Sequence, residues 1–200
     1  FIYDHLKRVL PAQQLDNGWL DIKADRAQKE STGFFGGGAP GDAINGNAVL
    51  MVYVPNGRST RDDHWNSLTS HEYVHVAQRS VFNGSMAAMQ CWVREGQANF
   101  IGWSYAGRAS KAAYAHAWKS QLQDLENEPE YSPQQRLSVN YWKNWFITNE
   151  KQDITTACDA TQNYVAGAMA FQYLHGTFGY EKVNDYLRNL KAAVDRCGDG

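Results

Sequence analysis

His71 and His75 stand four positions apart in S-L-T-S-H-E-Y-V-H-V-A-Q-R, residues 67–79, and Glu72 directly follows the first of them. On a helix, residues i and i+4 project from one face about one turn apart, so two imidazole nitrogens can reach one ion. Glu72 falls about 100° round the helix from His71, off the ligand row yet near enough to take a proton from a water held there. A metal makes that proton labile by lowering the pKa of bound water towards roughly 7. A solvated helix face would tolerate the same three residues, and H-E-x-x-H also arises by chance, so the context has to decide.

Downstream, C-W-V-R-E-G-Q-A-N-F-I-G-W, residues 91–103, reads as a second helix with Trp92, Glu95, Asn99 and Gly102 in one stripe at i, i+3, i+7 and i+10. Glu95 is then an acidic residue on an otherwise apolar face, where an unpaired carboxylate is costly to bury. A metal partner removes that cost, and a third zinc ligand has to come from another element than the His-bearing helix. Asn99, one turn beyond Glu95, is placed to hold a ligating imidazole in its tautomer, although an Asn bonded to backbone would look the same. Arg94 reads as a solvated or salt-bridged flank. A metzincin would need Gly at 78 and His at 81, where this chain has Gln and Val.

The H-E-Y-V-H motif, followed after 19 intervening residues by the glutamate of W-V-R-E-G-Q-A-N-F, resembles the gluzincin metallopeptidases, the superfamily of thermolysin and aminopeptidase N. The resemblance covers roughly residues 48–180 and implies His71, His75 and Glu95 as ligands of one Zn2+ per chain, with Glu72 as general base. It also implies an oxyanion donor from a later helix. N-Y-V-A-G-A-M-A-F-Q-Y-L-H-G-T-F-G-Y-E-K-V resembles the family segment that carries it, with Tyr164 first, Tyr173 and His175 in reserve, and Gly167 permitting close helix approach. Any of the three could equally be a core ring with a satisfied polar tip. The strand A-V-L-M-V-Y-V-P, residues 48–55, stands where the substrate-binding edge strand lies in such folds. The G-x-M-E-N segment of aminopeptidase N is missing, which puts aminopeptidase specificity in doubt.

The elements that must hold these residues follow from periodicity and breakers. Helices are expected at about 64–80, 90–105, 109–126, 133–147, 162–176 and 180–195, and a further helical run over 1–10 should stop at Pro11. A strand is expected over 18–25, and S-T-G-F-F-G-G-G-A-P-G-D-A-I-N-G-N, residues 31–47, reads as a loop that is no phosphate cradle, having no G-x-x-x-x-G-K. The expected fold is α+β and zincin-like: a small, mostly antiparallel sheet over the metal helix, with a largely helical C-terminal lobe. One domain is expected over 1–200, with sheet-containing residues 1–63 and helical residues 64–200 carrying the zinc site.

Composition narrows the partners. A formal net charge of -2, with no run of five like charges, gives no footprint for nucleic acid. Residues 160–180 hold no Asp, Glu, Lys or Arg, but Gln162, Asn163, Gln172 and His175 mark a buried helix rather than a membrane span. The start at Phe1 without Met suggests a mature or excised form, and an extracellular or secreted location is expected. Cys158 and Cys197 could close one bridge and leave Cys91 as a buried thiol, or all three could be reduced. His5, His64 and His116 have no partner at metal spacing, and Y-W-K-N-W-F, residues 141–146, reads as packing rather than a carbohydrate platform. The function expected is zinc-dependent hydrolysis of peptide bonds, the partner a peptide or protein substrate. The alternative is an inactive zincin-fold module that binds protein or glycan.

Overall fold

The computed structural model describes residues 20–25, 33–37, 48–53, 63–81, 89–127, 132–136, 138–149, 158 and 160–197. Three short strands come first: β1 Leu20–Asp25, β2 Gly33–Gly37 and β3 Ala48–Tyr53. Six helices follow: α1 Asp63–Val81, α2 Cys91–Ala106, α3 Lys111–Asn127, α4 Pro133–Arg136, α5 Val139–Asn149 and α6 Thr161–Cys197. The expected helix over 1–10 lies outside the described residues.

The expected α+β class with a mostly antiparallel sheet is corrected. From Asp63 onwards the described residues are helical almost throughout and hold no strand. The three strands that precede them run in the order β1-β3-β2, with β1 parallel to β3 and β2 antiparallel to it. The sheet is therefore mixed. β3 lies in its middle, not at its edge, so both of its hydrogen-bonding sides are taken and it offers no edge to a peptide. The apolar run A-V-L-M-V-Y, with its two valines and a tyrosine, has the composition of a strand. β2 falls inside the stretch read as a loop, where Phe34 and Phe35 pair with Met51 and Leu50 despite the flanking glycines.

The helical body is organised around α2. Twelve of its sixteen residues are buried, because α1, α3 and α6 all pack against it. Val74 on α1, Val93 and Ile101 on α2, and Val165 and Phe171 on α6 are at most 1 % exposed. Each contributes about 1.5–3 kcal/mol of apolar burial. Helix starts are capped locally. Ser110 Oγ accepts from Ala113 N at 3.0 Å ahead of α3. Ser132 and Gln135 exchange reciprocal bonds at 3.2 and 2.8 Å across the start of α4, a capping box with Pro133 at the first helical position.

Two close features set the geometry of the body. α2 crosses α6 at Gly96 and Gly167, where a side-chain carbon on either would overlap the backbone of the other. Cys91, the first residue of α2, is bridged to Cys158, three residues ahead of α6. That pairing is neither of the two alternatives left open by the sequence, a Cys158–Cys197 bridge with a free Cys91 or three reduced cysteines: the α2–α6 crossing brings Cα91 and Cα158 to 5.2 Å, within disulfide reach. Gly179, at φ 79°, then divides α6 into two helical segments, matching the break between the runs 162–176 and 180–195.

His175, on the first of these segments, is 8 % exposed and stacks on Phe100 at 4.8 Å, with Tyr180 at 4.2 Å on another side. Neither ring nitrogen has a hydrogen-bond partner among the described residues. Burial pushes its pKa down from 6.5 to about 4. The unfolded chain thus takes up this proton first, so the contribution is complete above about pH 6.5 and is lost as pH falls towards 4. Stability is expected to drop by about 2 kcal/mol over that window, allowing for partial solvent screening, and the drop should vanish in His175→Phe. Denaturant midpoints at pH 7 and pH 4.5 check it; the same pH dependence in the variant would refute the assignment.

Candidate metal centre

The α1–α2 pair places the chemistry. The two helices lie side by side with opposite chain sense, so Ser67 meets Gly102, His71 meets Asn99, and Gln78 meets Arg94. The apolar positions of α1, Tyr73, Val74 and Ala77, face the core, and His71, Glu72 and His75 are buried with them at 6–7 % exposure.

His71, His75 and Glu95 form a buried group that could hold a metal ion. His71 Nε2 and His75 Nε2 lie 3.1 Å apart, and each is 3.3 Å from Glu95 Oε2. The outer ring nitrogens are both engaged: His71 Nδ1 donates to Asn99 Oδ1 at 2.7 Å, and His75 Nδ1 donates to Gln78 Oε1 at 2.8 Å. With Nδ1–H turned outwards, a neutral imidazole turns its Nε2 lone pair inwards. Two lone pairs and a carboxylate oxygen then converge with no donor among them. Only a cation relieves that arrangement, either a proton on one imidazole or a metal ion, and the donor set therefore fits a metal.

Glu95 is oriented from its other side as well. Arg94 Nε donates to Oε1 at 2.8 Å, leaving Oε2 for the two imidazoles, so Arg94 is the salt-bridged flank that its position suggested. Burial pushes the Glu95 carboxyl up, but with a proton rather than a metal ion among the three groups, the hydrogen bonds and charge that His71 and His75 then offer outweigh it and hold the group well below the usual carboxylate range. Glu95 therefore stays ionised while buried.

The remaining expected residues separate. Tyr164 stacks on His71 with ring centroids 5.9 Å apart and planes 17° from parallel, bringing α6 to the rim of the centre. Tyr173 is 66 % exposed, and His175 is packed on Phe100, so neither stands with Tyr164 beside the imidazoles. His116 is exposed on α3, His5 lies outside the described residues, and the side chain of His64 does too. Trp142, Trp145 and Phe146 of α5 form an edge-to-face row that ends on Trp92.

Gln78 is the residue that the sequence reading missed. It entered only as the reason to reject a metzincin, although i+3 from His75 puts it on the same face of α1, within reach of that ring. Its amide nitrogen also donates to Arg94 O and Gln97 Oε1, both at 2.9 Å.

Compared with protein-family models, curated proteins and solved structures, the chain matches none of them. The reading of the centre therefore rests on its own residues and their geometry.

Proposed function

We propose that this chain is a zinc-dependent metallopeptidase of gluzincin type that hydrolyses peptide bonds. The observation that carries the reading is the convergence of His71 Nε2, His75 Nε2 and Glu95 Oε2, with the buried Glu72 next to the first ligand on the same helix. Two imidazoles and one carboxylate are a set that catalytic zinc uses, with a fourth position left open. The donor separations of 3.1–3.3 Å fall close to the edges, about 3.3–3.4 Å, of a tetrahedron with ligand distances of about 2.0–2.1 Å.

Bound zinc supplies Lewis acidity, which polarises a carbonyl and acidifies water. The protein's own groups do the rest. His71, His75 and Glu95 hold the ion. Glu72 accepts a proton from the attacking water and returns it to the departing amine nitrogen. The Tyr164 phenol donates to the carbonyl oxygen as negative charge develops there. Asn99 keeps the His71 ring in place. A disulfide between buried cysteines supports a secreted or extracellular setting, where such bridges persist.

The test combines metal analysis with a peptide-library digest read by mass spectrometry, with and without a chelator. About one zinc per chain and chelator-sensitive cleavage are expected. Zinc without cleavage would instead favour a non-catalytic binding module, and failure to bind zinc would remove the basis of the proposal.

A further inference from the structure

We infer that Gln78 is a positioning residue that sets the tautomer of His75, and that the α1–α2 contact fixes this choice before any metal arrives. The inference rests on the metal-centre reading above, and it starts from a backbone atom. The Arg94 carbonyl oxygen can only accept, so the Gln78 group 2.9 Å from it must be the NH2 end of the amide. The second hydrogen of that NH2 goes to Gln97 Oε1, also at 2.9 Å. Gln78 Oε1 is thereby turned towards His75 Nδ1 at 2.8 Å, where an oxygen without hydrogens requires Nδ1 to be the donor. In the neutral ring Nε2 is then left with its lone pair, aimed at His71 Nε2 and Glu95 Oε2.

The two ligating imidazoles are held independently. His71 depends on Asn99 from α2, while His75 depends on Gln78 from its own helix, and the orientation of Gln78 comes from α2 through a main-chain carbonyl. Gln78 is 3 % exposed, so water does not easily replace its amide. Removing the Gln78 amide thus frees one ring and leaves the other held.

The test uses nitrogen–proton correlation NMR on the imidazoles of the metal-free full chain, at a pH where both are neutral, together with zinc affinity from chelator competition. In the unmodified chain both His71 and His75 are expected as Nδ1–H tautomers. Gln78→Leu is expected to shift His75 towards Nε2–H, leave His71 unchanged, and weaken zinc binding about 10- to 100-fold. A His75 that keeps its tautomer with unaltered zinc affinity overturns the inference, and so does an equal disturbance of both histidines, which would mean that Gln78 only holds the helices together. Should Gln78→Leu fail to fold, the unmodified chain still decides, because Nε2–H on its metal-free His75 contradicts the inference. Neither readout involves substrate, so absence of peptidase activity would defeat the functional proposal and leave this one standing.

Discussion

Glu72→Gln is expected to lower the rate of peptide-bond cleavage by about 10²–10⁴-fold while the protein keeps its zinc. The substitution preserves shape and hydrogen-bonding capacity at a buried position but removes the only function assigned to the carboxylate, accepting and returning a proton. Glu72 lies off the row formed by His71 and His75 and is not one of the three clustered ligands, so metal content should be unaltered. The loss should fall on kcat, with KM little changed, since the proton moves only in the transition state. Initial rates on a peptide identified by the library digest, with zinc content measured on the same preparations, provide the check. Cleavage at the unmodified rate would show that another group is the base.

Opening the Cys91–Cys158 bridge is expected to have the largest effect on stability. Its partners are 67 residues apart in sequence, and closing a loop of that size restricts the unfolded chain by about 4 kcal/mol. Cys158→Ala should lose most of that amount in denaturant titration. The effect should also reach the metal centre. The bridge fixes the start of α2 about one turn before Glu95 and ties it to the approach of α6, six residues before Tyr164 of that helix. Zinc affinity should therefore fall together with stability. A variant as stable as the parent would mean that the crossing of α2 and α6 is maintained by packing alone.

The parts of this molecule that the sequence made legible are those written in local periodicity. The helical runs and the break at Gly179 follow from apolar spacing and breakers, and the set His71, His75, Glu95 and Asn99 follows from asking which polar residues share a helical face. Features fixed by contacts between distant segments were not legible. Nothing in the spacing of three cysteines favours Cys91 as the partner of Cys158, because that choice is made by the crossing of α2 and α6. The direction in which β1 pairs with β3, and the central place of β3 between β1 and β2, likewise leave no local trace. Gln78 was legible in principle, one turn from His75, but its role depends on a carbonyl 16 residues further on.

The contact between Gly96 and Gly167 has a consequence for how this sequence could change over time. When two large side chains meet, enlargement of one can be offset by reduction of the other, and a lineage can pass between solutions of equal volume. Here each partner is already the smallest residue available and the obstruction is main chain, so no second substitution can make room. Both positions lack a compensated route. Glu95, the neighbour of Gly96, thus takes its distance from the imidazoles from a junction that mutation can break but cannot adjust.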